Sequence, residues 1–276
     1  MSEPYPRVEE VMSSPPITAP KNMTVEEAIE KMERLRITRF PVVARGRMQG
    51  IVTAFDFMVK LGSRKTGKLP PHRIYVASCM TLNPVTMNLS NSVVDVISEI
   101  LDRKVGGFPV VTDAGELVGI VTKMDIGKLC IDFEDPVSKA FTKDVASVHP
   151  TTRLIELRDR LISKGVSIVP VVDEAGRLIG TATTLDVSKA LAEVRRRSDP
   201  LQMADRIKHV TVADAFSQEV HTLDPDATVG DAARIMVDER VKGVMIVDEN
   251  QFVVGLVRRD DIVRFYYRKM VLTRRD

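Results

Sequence analysis

One short pattern occurs four times along this chain of 276 residues: Gly50-Ile-Val-Thr-Ala-Phe-Asp56, Gly119-Ile-Val-Thr-Lys-Met-Asp125, Gly180-Thr-Ala-Thr-Thr-Leu-Asp186 and Gly255-Leu-Val-Arg-Arg-Asp-Asp261. Upstream of each Gly lies a short apolar run: Phe40-Pro-Val-Val43, Phe108-Pro-Val-Val111, Val169-Pro-Val-Val172 and Val244-Met-Ile-Val247. A hydroxyl residue precedes each final Asp by 38 residues (Thr18) or 39 (Thr86, Ser147 and Thr222). Four copies of three landmarks in one register mark a repeat protein, and a repeat constrains the fold more than any composition can.

The spacing between copies carries a second message. Successive final Asp residues stand 69, 61 and 75 apart, long, short and long, which groups Asp56 with Asp125 and Asp186 with Asp261. The reading is therefore four repeats, 1–62, 73–131, 137–194 and 207–272, in two modules, 1–131 and 137–276. Charged stretches from Arg64 to Arg73 and from Arg195 to Lys208 join the repeats within each module. The segment Ile131 to Lys139 divides the modules.

Each repeat reads as strand, helix, strand, strand, helix. Val25, Ala28, Ile29, Met32 and Leu35 recur at helical spacing, as do Val93, Val96, Ile97 and Ile100, then Leu154, Leu157 and Leu161, then Val229, Ala232, Ala233 and Met236. Thr24 with Glu27 and Ser92 with Asp95 have capping-box spacing. The Pro-Val-Val runs read as strands. Tight turns follow at Arg45-Gly46, Ala114-Gly115 and Ala175-Gly176. The Gly-Ile-Val-Thr strand runs straight into the second helix. A single repeat of ~55 residues buries too little apolar surface to stand comfortably alone, so pairing through the sheet faces is expected.

Composition excludes several classes. Forty Lys+Arg against 38 Asp+Glu leave a net charge of +2, without the basic excess of a nucleic-acid binder. With 44% hydrophobic residues the chain is not disordered. No apolar run approaches the ~18 residues of a membrane span and no signal peptide opens the chain, so cytoplasm is the expected location. Cys79 and Cys130 lack metal or disulfide-framework spacing. Four Gln, five Asn and no Trp beside abundant charge point to a thermophilic source. No nucleophile elbow or Walker loop occurs. His72, His149, His209 and His221 have no helical metal spacing and read as ordinary surface or core histidines. Arg64-Lys65, Arg195-Arg-Arg197 and Arg274-Arg275 read as solvated linkers and a tail, and Met12 and Met80 as interface packing.

The order hydroxyl, amphipathic helix, Phe-Pro-Val-Val and Gly-Ile-Val-Thr-x-x-Asp resembles the cystathionine-β-synthase (CBS) domain, four times over nearly the whole chain. Paired CBS domains form a Bateman module. Two modules in one chain is similar to the gamma subunit of AMP-activated protein kinase and resembles the stand-alone archaeal four-CBS proteins. The resemblance implies an α/β (α+β) fold of two pseudo-symmetric Bateman modules. It also implies a non-catalytic regulatory protein that binds AMP, ADP or ATP between paired repeats and changes module arrangement for a protein partner to read. The alternatives are an S-adenosylmethionine sensor, or a scaffold with vestigial pockets that recruits a protein or RNA. A homodimer through the module faces stays open beside a closed disc.

The resemblance also implies sites. The final Asp accepts from the ribose hydroxyls, the Thr three residues earlier helps hold phosphate, and the hydroxyl from the partner repeat lines the adenine pocket. One site would use Asp56, Thr53 and Arg39 with Thr86, and a second Asp125 and Thr122 with Thr18. A third would use Asp186 and Thr183 with Thr222, and a fourth Asp261 and Arg258 with Ser147. A carboxylate suits two vicinal hydroxyls, and a helix N-terminus and an Arg fork suit phosphate. Thr with Asp three residues on is, equally, what helix capping alone would select. Gly106-Gly107 leaves room but no charge in the second copy. The third lacks a basic residue at that point, and Arg258 in the fourth would bind phosphate or fill the pocket and pair with Asp260. The first module is therefore expected to bind better than the second.

Overall fold

The computed structural model describes residues 5–63, 69–198 and 202–272; Arg64-Lys65 and Arg274-Arg275 lie outside them. A short helix, α1 (Val8–Val11), precedes the first repeat, which is β1 (Ala19–Pro20), α2 (Val25–Arg34), β2 (Arg39–Ala44), β3 (Arg47–Thr53) and α3 (Ala54–Leu61). The second is β4 (Thr81–Leu82), β5 (Met87–Asn88), α4 (Val93–Arg103), β6 (Gly107–Val111), β7 (Leu117–Thr122) and α5 (Lys123–Lys128). In the third, α6 (Leu154–Lys164), β8 (Ile168–Val172), β9 (Leu178–Thr183) and α7 (Thr184–Arg197) follow a first strand reduced to one bridge, Val148 to Val171. The fourth has α8 (Met203–His209), β10 (Thr222–Leu223), α9 (Val229–Asp238), β11 (Gly243–Val247), β12 (Val253–Arg258) and α10 (Arg259–Tyr267).

The local signals act as their chemistry dictates. Thr24, Ser92 and Thr228 open α2, α4 and α9 with complete capping boxes to Glu27, Asp95 and Asp231, which satisfies backbone N–H groups that the first turn leaves without partners. The apolar stripe of each helix is buried: Val25, Ala28, Ile29 and Met32 on α2, and Val93, Val96, Ile97 and Ile100 on α4. The chain turns out of each of these helices through a left-handed residue: Arg36, Lys104, Gly165 and Arg240. Only one of the four is glycine.

In all four repeats the two longer strands form an antiparallel hairpin with a register shift at the same place, after Val42, Val110, Val171 and Ile246. The residue before each shift faces the landmark glycine: Gly50, Gly119, Gly180 or Gly255. Each glycine is where the leading segment of the other repeat in the module crosses. A Cβ on Gly50 would strike Thr81 and Met80, and one on Gly119 would strike Met12 and Ser13. Gly180 is covered by Phe216 and Ser217, and Gly255 by Phe141. The crossing segments add backbone pairs to the partner's sheet: β4 to β3, Ser13 to Ile120, Thr142 to Leu256 and Ser217 to Thr181. Pairing within a module therefore includes an exchange of leading segments as well as contact of sheets. Met12 and Met80 pack at that exchange, as read from the sequence.

Between modules the contact is helical. One continuous core unites the first repeat with the third: Phe57, Met58 and Leu61 of α3 lie in it with Leu154, Leu157 and Leu161 of α6 and Val187 and Leu191 of α7. The second core unites the second repeat with the fourth, through Ile126 of α5 with Ala233, Met236, Ile262 and Val263. The buried Ser188 hydroxyl shares its proton between the carbonyl oxygens of Ala54 (2.9 Å) and Thr184 (2.7 Å), tying α7 to α3. Arg195 is a correction to the sequence reading. It is 3% exposed rather than a solvated linker residue. Its guanidinium donates to the carbonyls of Leu61, Ser63 and Leu69 at 2.8, 3.3 and 3.2 Å, closing the end of α3 from the other module.

These seams make the modules mutually dependent. A fragment of residues 1–131 leaves the helix faces of α3 and α5 uncovered, a contiguous apolar surface of the kind that drives association. Light scattering behind size exclusion is expected to show it as a dimer or larger; a stable monomer would contradict the shared cores.

Candidate functional site

At each junction of the hairpin with the following helix, the final Asp first serves as a cap. Asp56 Oδ2 accepts from Thr53 N at 2.8 Å and Thr53 Oγ1 at 2.7 Å, and Asp186 does the same with Thr183 at 2.8 and 2.7 Å. Asp125 repeats this with Thr122 at 2.9 and 2.8 Å. Capping accounts for one carboxylate oxygen in each copy. The four differ at the other. Asp125 Oδ1 accepts from Ser13 Oγ at 3.0 Å and Lys128 Nζ at 2.9 Å, with the side chain 2% exposed. Asp261 is enclosed by guanidinium groups: Arg258 Nε at 3.0 Å on Oδ2 and Arg264 at 3.5 Å on Oδ1. Among the described residues, Oδ1 of Asp56 and of Asp186 accepts no hydrogen bond. Burial, opposed by the Thr caps, raises the pKa of both these carboxyls above the usual 3.8.

Arg258 is thus committed to Asp261 and, through NH2, to Thr142 Oγ1 at 2.8 Å. Its carboxylate partner is Asp261 rather than Asp260. The open carboxylates fall one in each module, in the first and third repeats.

The leading-segment hydroxyls arrive by the exchange described above. Thr18 lies five residues past Ser13, whose side chain touches Asp125, and Thr86 six past Met80, which covers Gly50 beside Asp56. Ser147 follows Thr142, the partner of Arg258. Thr222 follows Ser217, which is paired with Thr181. Each segment crosses toward the Asp with which its hydroxyl was grouped. No hydrogen bond joins any of these hydroxyls to the carboxylates among the described residues, and the Thr18 carbonyl accepts from Lys31 Nζ at 3.0 Å within its own repeat.

A charged centre joins the repeats. In every copy the N–H of the first helical residue donates to the carbonyl of the residue two before the Phe/Val run: Ala54 to Thr38, Lys123 to Gly106, Thr184 to Ser167 and Arg259 to Lys242. This fixes four equivalent corners, and cations hold three of them. Arg39 lies against Gly106, where a Cβ would collide with its guanidinium, and reaches Gly107 O at 3.5 Å. The room in the second copy is filled by charge from the first. Lys123 pairs with Asp260. Lys242 Nζ donates to Thr38 Oγ1 at 2.9 Å, across from the fourth repeat to the first. Arg259 donates to the carbonyls of Val241 (2.9 Å) and Arg240 (2.8 Å). Burial is the main influence on all four. It lowers Arg39 to about 10 despite Asp260, Asp56 and Asp125, and Arg259 to about 10 with Arg39 adding repulsion. Lys123 is lowered too, and Lys242 well below its usual 10.5, with Arg259, Arg39 and Lys123 repelling it further. The sequence reading assigned only Arg39 to this role; Lys123, Lys242 and Arg259 escaped it because the second and fourth repeats, distant in sequence from Arg39, supply them.

The family model of the CBS domain matches residues 8–63, 76–131, 137–193 and 212–268. The chain belongs to the CBS-domain family. Its similarity to the protein MJ1225 of Methanocaldococcus jannaschii is 25% identity over 267 residues, 91% of this chain and 95% of that one. The crystal structure of MJ1225, put forward as an archaeal homologue of g-AMPK, superposes with a TM-score of 0.79 over 95% of this chain and all of that one, at 24% identity. MJ1404 of the same organism is 23% identical over 94% of this chain, which spans 61% of its length. These likenesses agree with four CBS repeats in two Bateman modules.

Within this CBS chain the repeats have divided their labour: the first and third keep open carboxylates, and the first, second and fourth supply charge. Lys242 is the cation whose only hydrogen-bond partner among the described residues is a neutral hydroxyl. A lysine depressed by its fold destabilises that fold below the depressed pKa, and the cost fades as pH climbs toward 10.5. Lys242→Met is expected to raise Tm of the ligand-free protein by about 2–4 °C at neutral pH and to flatten the gain in stability between neutral pH and pH 10. Thermal melts across that range check both.

Proposed function

We propose that this protein is a regulatory sensor of adenosine nucleotides, with ribose held at Asp56 and Asp186 and phosphate directed to the charged centre. The observation that carries the reading is the cluster of Arg39, Lys123, Lys242 and Arg259, four half-buried cations of which, among the described residues, Lys123 alone pairs directly with a carboxylate, Asp260. Such a cluster is complementary to a phosphoryl group and repels the sulfonium of S-adenosylmethionine. AMP, ADP or ATP is therefore favoured over that alternative. The adenine half of the reading comes from the CBS resemblance and from the likeness to a protein put forward as a g-AMPK homologue.

A regulatory rather than catalytic role belongs to the same proposal, because the four CBS matches occupy most of the chain. Phosphate at a cluster built from three repeats would favour the arrangement that brings those repeats together, and a ligand can shift an equilibrium only through such a preference. A protein partner would read that arrangement. The enclosed Asp125 and Asp261 lend some support to the scaffold reading, but for two clefts only.

Calorimetry on nucleotide-stripped protein tests the proposal. AMP is expected to bind and S-adenosylmethionine to bind more weakly. Asp56→Asn and Asp186→Asn should each weaken their own site by about 1.5–3 kcal/mol, the worth of a hydrogen bond to a charged group. Because both carboxyls are raised by burial, their ionisation opposes folding as pH rises past 3.8, so these variants should be at least as thermostable as the parent. Asp125→Asn should lower Tm and leave AMP binding nearly intact. Indifference to AMP, ADP and ATP would remove the sensor reading.

A further inference from the structure

The leading segment of the fourth repeat carries chemistry that the nucleotide reading does not use. Between the bridge at Ser217 and β10, Glu219 and His221 alternate with Val220, which packs against the apolar cluster of Ile168, Met245, Val247 and Leu256. Residues two apart in an extended run project to one side, so the side chains flanking Val220 share a face. Glu239, at the end of α9, meets them there. One ligand atom from each of Glu219, His221 and Glu239 lies within 4.8 Å of the other two.

Two features separate this cluster from a surface ion pair. His221 Nε2 is buried and, among the described residues, has no hydrogen-bond partner, and leaving a buried polar atom unsatisfied is costly. The two carboxylates are also incompletely balanced. The neighbouring cation is Arg36 of the first repeat, whose guanidinium stands 3.5 Å from Glu219 and 3.6 Å from Glu239, with its side chain 52% exposed. Those separations exceed a good charge-assisted hydrogen bond, and pairs this exposed contribute little. Arg36 NH1 instead donates to the Glu239 carbonyl at 3.1 Å.

We propose that Glu219, His221 and Glu239 form a binding site for a borderline divalent cation of the zinc type. One imidazole and two carboxylates suit such an ion and neutralise its charge, and three protein ligands leave a position for water. The ion takes the place of the Arg36 guanidinium, so metal and Arg36 compete for the same carboxylates. Because Arg36 belongs to the first repeat and the ligands to the fourth, occupancy of the site loosens one contact between the two modules. The site stands independently of the nucleotide reading.

Calorimetric titration of Zn2+ into the chelator-treated, nucleotide-free full chain tests this, with Co2+ absorption as a report on coordination. One ion per chain is expected. His221→Gln and Glu239→Gln should each weaken binding by at least about tenfold, while His209→Ala, at an exposed histidine elsewhere, leaves it unchanged. Arg36→Asn, which suits the left-handed backbone at φ 50°, should tighten it severalfold by removing the competitor. Melting curves of each variant establish that it is folded. Absence of binding, binding that survives both ligand substitutions, or an affinity unmoved by Arg36→Asn would each overturn the proposal.

Discussion

The crossing of one backbone over a glycine of its partner repeat is the contact on which the remaining architecture rests. At Gly50, Gly119, Gly180 and Gly255 the leading segment of the other repeat lies where a Cβ would be. That approach lets the segment pair with the partner's hairpin and then return to its own sheet, as β1 does beside β2. A larger residue would push the segment away and break those backbone pairs, leaving donors and acceptors to find water. The same crossing brings Ser13 to Asp125 and Thr142 to Arg258, the partner of Asp261. Module pairing and cleft construction are thus one event.

The exchange also determines what the outer helices must do. With sheets engaged inside a module, the faces of α3, α5, α7 and α10 are left to cover one another, and they do so as two cores that each draw on both modules. Small residues let the first seam close tightly. Ala54 and Thr184 occupy the first helical positions there, and the Ser188 hydroxyl fits between their carbonyls. At the equivalent positions of the second seam stand Lys123 and Arg259, which turn to the centre instead. Divergence at one position per repeat separates packing from charge.

Much of this was legible in the sequence because it is written in short-range chemistry. The capping boxes at Thr24 and Ser92, the apolar stripes and the Thr-x-x-Asp caps all need only residues within one or two turns. What depends on three dimensions was not. The left-handed exits at Arg36, Lys104 and Arg240 carry none of the glycine that marks Gly165. Arg195 read as part of a basic run, yet its partners are carbonyls some 130 residues earlier. Asp125 and Asp56 share one motif; Lys128, three residues after Asp125, is a local difference, but the closure by Ser13 comes from the exchanged segment and is not legible in the motif. His221 had only Glu219 nearby in sequence, too little to mark a site, because Glu239 comes from another element.

The charged centre and the open carboxylates are parts of the same physical problem. Cations drawn together at Arg39, Lys242 and Arg259 raise the free energy of the fold, as their lowered pKa values express. Ionised Asp56 and Asp186 do so as well, on the other side of the charge balance. Neither set is near enough to satisfy the other through hydrogen bonds; the direct partner of a central cation is Asp260, and it takes Lys123. On the nucleotide reading proposed above, a molecule with vicinal hydroxyls at one end and phosphate at the other would relieve both, by supplying donors to the carboxylates and negative charge to the centre. The free-energy cost of those buried charges would then become preference for the bound arrangement. The repeats that would gain most are those that contributed the charge, so the proposed ligand would act across the module boundary rather than within one cleft.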